Sequence, residues 1–176
     1  MKITENVESV TPISSVNVCH RRDSSAGNGT YQATAMNDSG TNGDELAGDG
    51  VYSATLTQHQ SDNAIVQFYV QANSAGGNSI TPGPAPGLPA MWVVDNSNIA
   101  TDLRTQRIVI SEYDRNSLNA GTGESSSRDY DFPRLSNQYF NATFISNEKD
   151  IFYNCEIRKS GSPWTRDNGN GLAKAK

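Results

Sequence analysis

Histidine and cysteine are scarce in this chain, two of each in 176 residues, and the scarcity removes several chemistries at once. His20 and His59 stand far apart with no motif beside either, and no GxSxG or CxxC occurs, so a Ser-His or Cys-His nucleophile has no support in the sequence. Two scattered histidines and two scattered cysteines also lack the ligand spacing of a zinc site. Cys19 and Cys155 leave two arrangements open, a disulfide joining the halves of the chain in an oxidising compartment or two separate thiols. Basic residues are outnumbered, 14 Lys and Arg against 19 Asp and Glu for a net charge of −5, and they form no cluster. Nucleic acid, whose binding rests on phosphate neutralisation, is therefore not an expected partner. No apolar run approaches the roughly 20 residues that cross a bilayer. The opening MKITENVESV has no apolar export segment, so no membrane contact is expected and any export signal would lie outside this chain. Hydrophobic residues make up only 35%, which implies a thin core or one divided between small modules.

What fills the chain instead is Asn, Ser, Gly and Thr, residues that favour turns and short strands because their side chains compete for backbone hydrogen bonds or, for Gly, because helix costs entropy. Alternation predicts strands over 7–21, 30–36, 51–57 and 64–72. In the first of these, Val16, Val18 and His20 share one side, and Asn17, Cys19 and Arg21 the other. AIVQFYVQA, residues 64–72, is the most apolar segment and is expected at the centre of a sandwich. Short strands at this spacing predict an all-β fold, an immunoglobulin-like or fibronectin-like β-sandwich over 1–80 that lacks an N-terminal strand. The proline-rich ITPGPAPGLP then predicts an extended linker over 81–90, because proline donates nothing to a ladder. A smaller, incomplete β-rich domain is expected over 91–176. It contains a strand at RIVIS, a helical turn over 112–119 and a hairpin around Asn147-Glu148-Lys149-Asp150.

The stretch with the most chemistry is MNDSGTNGDELAGDGVY, residues 36–52, in which Asp38, Asp44, Glu45 and Asp49 alternate with glycines and Asn amides. Counted from Asp38, the residues Asp38, Asn42, Gly43, Asp44 and Asp49 fall at positions 1, 5, 6, 7 and 12 of a calcium-loop frame. That pattern gathers hard oxygens around one point for Ca²⁺. Gly40 stands at position 3, however, and the aspartate at position 12 is shorter than the usual glutamate. The same residues also fit a metal-free, glycine-rich turn whose Asp and Asn side chains hold backbone N–H groups. Trp92 and Trp164 are the ligand-binding candidates, able to stack on a glycan or a peptide, with core packing as the alternative.

Two stretches resemble a known family. NDSGTNGDELAGDGVYSATL followed by VQFYVQA resembles the signature of choice-of-anchor X modules, β-sandwiches that precede CotH-type kinase domains in secreted bacterial proteins. RLSNQYFNATFISNEKDIFYNCEIRKSGSPWTR resembles the opening strands of the CotH kinase-like domain, with Arg158, Gly161 and Ser162 matching an Arg-x-x-Gly-Ser element on the nucleotide side. The resemblance implies an extracellular or cell-surface setting, a downstream kinase-like domain of the same polypeptide as partner, and a non-catalytic, positioning role for this portion. The family's metal carboxylates and base would lie beyond Lys176, so phosphoryl transfer is not expected of this chain alone. The other class left open is a free-standing extracellular module that binds protein or glycan with the help of Ca²⁺.

Overall fold

The computed structural model describes residues 1–24, 26, 29–59, 61–96, 104–119 and 138–158. The chain divides into two compact units, Met1–Leu103 and Arg104–Lys176. Both are built on antiparallel strands, so the fold is all-β with one short helix among the described residues.

Unit 1 has two layers. The larger is a five-stranded sheet made of β2 (Ile13–Arg22), β3 (Gln32–Ala35), β5 (Ile65–Ser74), β6 (Gly77–Thr81) and β7 (Ala90–Val93). The smaller pairs β1 (Lys2–Asn6) with β4 (Val51–Thr55). Strand β5, the apolar AIVQFYVQA stretch, is central as its composition predicts. One edge pairs with β2 from Val66 to Ser74, while the other is shared between β6 at Val70–Ser74 and β7 at Ile65–Phe68. Alternation puts Val66, Phe68 and Val70 of β5 and Val16 and Val18 of β2 on one face, and Phe68, Val70, Val16 and Val18 meet Ile3 and Ala54 of the smaller sheet together with Met36, Leu56 and Ala90. The layers are stitched where β3 ends. The Met36 N–H still donates to Val16 O of the large sheet, whereas Asn37 exchanges both backbone bonds with Ser53 of β4.

Three expectations need correction here. The strand expected from Val7 begins at Ile13 as β2, and the polar opening segment is itself β1: only Ile3 of it is buried, and it is held by the ladder to β4. The segment 81–90 is not an extended linker between domains. It folds into turns, with the Ala85 N–H donating to Pro82 O and the Leu88 N–H to Pro84 O. It also returns the chain to the same sheet as β7, because Ala90 and Trp92 have core surface to bury beside Phe68 and Val66. The unit boundary accordingly falls after Leu103, so 81–90 and the residues from Met91 to Leu103 belong to the first unit.

Unit 2 carries β8 (Gln106–Ile110), α1 (Glu112–Asn119), β9 (Phe140–Ser146) and β10 (Asp150–Ile157), with sheet order β10-β9-β8. Ser111 starts the helix: its Oγ accepts from the Asp114 N–H at 3.0 Å, and Glu112 and Asp114 place negative charge in the first turn, where the helix dipole favours it. Leu118 of α1 packs on Phe140, Ala142 and Ile157. The hairpin expected around 147–150 is present, with Asn147 and Glu148 both at positive φ, as a tight turn matching strand twist requires.

Candidate functional site

The acidic loop joins β3 of the large sheet to β4 of the small one, so it spans the seam between the layers. Its organiser is Asp38. Oδ1 of Asp38 accepts from the Gly48 N–H at 2.6 Å and the Asp49 N–H at 3.2 Å, and Oδ2 accepts from the Gly50 N–H at 3.1 Å. One carboxylate thereby closes a loop of a dozen residues by holding three successive backbone donors at its far end. Asp44, buried at the middle of the loop, accepts from the Gly40 N–H through Oδ2 at 2.5 Å. Asp49 accepts from the Val51 N–H at 2.9 Å and so starts β4 with an Asx turn. Lys2 of β1 donates to Glu45 at 2.9 Å and holds that exposed carboxyl below its ordinary pKa.

Asp38, Asp44 and Asp49 come together, each offering a carboxylate oxygen within 4.8 Å of the others. That span is about twice a Ca²⁺–oxygen distance of roughly 2.4 Å, so the three could share one ion. The donor set is hard, as calcium requires, and each oxygen that accepts one N–H retains a further lone pair. Without a cation the three charges repel by about 1 kcal/mol per pair at water's dielectric constant, and the backbone N–H groups oppose that repulsion.

Asn42 is exposed, and its backbone is left-handed at φ 53°. Its carbonyl accepts from the Thr55 hydroxyl at 3.5 Å. Gly43 beside it has φ 98°, and a Cβ there would stand 2.9 Å from Thr55 Oγ1. Gly43→Ala is therefore expected to destabilise unit 1 by about 1–2 kcal/mol, through backbone strain plus a forced shift of Thr55. A urea midpoint indistinguishable from the parent would show that the turn relaxes freely.

Of the remaining candidates, Trp92 is half-buried and packs against the core of unit 1, which leaves only part of the indole for a ligand. Arg158 follows β10 and stacks its guanidinium 5.2 Å from the centroid of the Tyr139 ring. Gly161, Ser162 and Trp164 lie outside the described residues. Cys19 is buried, Cys155 is half-buried, and both are free thiols.

Two polar arrangements on β2 escaped the reading of the sequence. On the outer face Arg21 donates to Gln67 at 2.9 Å, Gln67 donates to the buried Asp23 at 2.7 Å, and the Arg21 guanidinium lies 4.2 Å over the Tyr31 ring. Tyr31 meets Tyr69 edge-on, and burial, followed by the adjacent Cys19 thiol, pushes the Tyr69 phenol up to about 12. The Tyr69 phenol therefore stays protonated at neutral pH, and the arrangement is a structural one. On the inner face His20 is fully buried and bonded to His59. The available signal was His20 itself, a polar residue on the Val16 and Val18 side of its strand that must have a partner when buried. Comparison of the chain with protein-family models, with curated proteins and with solved structures finds no match in any of the three.

Proposed function

We propose that this chain is the non-catalytic, positioning portion of a secreted CotH-like protein. In this reading unit 1 is an immunoglobulin-like spacer stiffened by Ca²⁺ at the acidic loop, and unit 2 is the start of the kinase-like lobe that the spacer presents. The observation that carries the proposal is the convergence of Asp38, Asp44 and Asp49 on the connection between the two layers of unit 1. An ion shared by those carboxylates would cancel their repulsion and lock the layers against each other, a mechanical role suited to the millimolar calcium outside cells. Its partners would be the kinase-like domain of the same polypeptide and extracellular protein or glycan. The part-buried indole of Trp92 favours the spacer over a module that binds glycan through exposed aromatic rings.

The test is thermal unfolding in EDTA against 10 mM Ca²⁺. For a dissociation constant in the range of extracellular modules, about 0.1–1 mM, the gain should be about 1–3 kcal/mol, and it should vanish in Asp44→Asn. An unchanged melting temperature in the parent would remove calcium from the proposal. ATP turnover by the chain alone would overturn its non-catalytic part.

A further inference from the structure

His20 occupies an inward position of β2, and its whole side chain is removed from solvent. Its Nδ1 lies 2.8 Å from Nε2 of His59 and its Nε2 lies 3.0 Å from Oγ1 of Thr34 on β3. The rings meet edge-on, with centroids 5.0 Å apart. A separation of 2.8 Å between two ring nitrogens admits one proton, one ring donating and the other accepting. The neutral pair satisfies this, and Thr34 can donate or accept to suit either tautomer. A singly charged pair satisfies it too. A doubly charged pair cannot, because two N–H groups would then point at each other across 2.8 Å, with the His20 ring fully buried.

His59 belongs to the connection between β4 and β5, whose two ends are fixed elsewhere. At the start, the Leu56 N–H donates to Met1 O at 2.7 Å and the terminal ammonium of Met1 donates to Leu56 O at 2.9 Å. At the end, the Asn63 N–H donates to Val94 O and the Val94 N–H to Ala64 O. The histidine bond ties the middle of the connection to the sheet.

We propose that the His20–His59 pair is an acid-operated clasp: protonation of both rings parts them and frees the middle of the β4–β5 connection from the large sheet. The electrostatic surroundings act in the same direction. Burial comes first for both rings in holding them below the ordinary histidine value, followed by the charge of His59 for His20 and that of Arg22 for His59. Arg22, two residues along β2 from His20, is the charged group that acts on His59, and its sign adds to the repulsion. With folded values below the unfolded value of about 6.5, the unfolded chain binds more protons inside that window. The contribution of the pair to stability is therefore full above about pH 6.5, declines as pH falls toward the folded values, and is flat below them.

The experiment uses the whole chain at pH 7.5, 6.5, 5.5 and 4.5. The unfolding constant should rise by up to about tenfold per pH unit for each ring that resists its proton. Amide exchange in the 56–63 connection, corrected for intrinsic rate, should accelerate over the same range while that of β2 does not. His59→Gln, whose amide can serve His20 Nδ1 as donor or acceptor without titrating, should remove the share of the pH response that belongs to His59 and to its charge on His20, leaving only that of the buried His20 ring. Retention of the full response in His59→Gln would overturn the clasp. Should that variant fail to fold, histidine side-chain NMR of the parent decides. Protonation that coincides with faster exchange in the connection supports the proposal, and both rings titrating near 6.5 with exchange unchanged overturns it.

Discussion

Phe68→Ala is expected to cost unit 1 about 3–5 kcal/mol, the usual range for emptying a buried phenylalanine site. Phe68 is 5% exposed and sits on the central strand, in register with His20 of β2 on one side and Ala90 of β7 on the other. The surrounding side chains come from both layers, so the cavity cannot close by a local shift of one strand. A loss of this size is a large fraction of the roughly 5–15 kcal/mol that ordinary domains possess. The cavity would also open beside His20, so a ring kept dry in the parent would gain a path to water. Urea denaturation with the slope compared between variants measures the effect. Phe68→Leu, which keeps most of the volume, should lose much less, and equal losses for the two variants would show that shape at this position matters more than filled space.

Asp38→Ala carries the second large effect, about 3 kcal/mol, because one side chain accepts all three donors at the far end of the acidic loop. Hydrogen bonds to a charged group contribute about 1.5–3 kcal/mol each when protected, and less where water can replace the partner, as it can at the exposed Gly48 and Asp49. Asp38→Asn separates charge from shape. One amide oxygen can still serve Gly48 and Asp49, but an NH₂ would then face the Gly50 N–H, so an intermediate loss is expected. Both variants are compared with the parent in EDTA, which removes any contribution of bound calcium. If Asp38→Ala matched the parent there, the carboxylate would be a ligand held in reserve and not the organiser of the loop.

The parts of this architecture that were legible in the sequence are those where burial imposes a period. Val16, Val18, Val66, Phe68 and Val70 alternate with polar neighbours, and the two long strands they belong to are the centre of the large sheet. Where a strand is held by its ladder alone, no such period exists. Gly77–Thr81 has a single half-buried apolar side chain, Ile80, and Lys2–Asn6 buries only Ile3, so neither could be told from a loop by pattern. The prolines before Ala90 read as a boundary because a missing N–H rules out a ladder locally. That rule says nothing about whether the chain rejoins the same sheet a few residues later. In the acidic loop the residue types were readable, and two of their uses stayed open. What composition could not reveal was the division of labour, with Asp38 serving three backbone donors while Asp44 is buried against Gly40. The His20–His59 bond was hidden for a simpler reason, since it joins one strand to a distant connection and neither residue has a local motif.

The edge of β5 that is divided between β6 and β7 turns the proline-rich segment into a closed handle, with both its roots clamped by one strand. Neither root of such a handle can rotate without tearing the same ladder. The handle can nevertheless lengthen outward at little thermodynamic cost, since loop entropy grows only slowly with added residues. Its apex is thus a natural place to graft a fluorophore or an affinity tag for watching this protein without disturbing the bonds between Asn37 and Ser53 that join the two sheets.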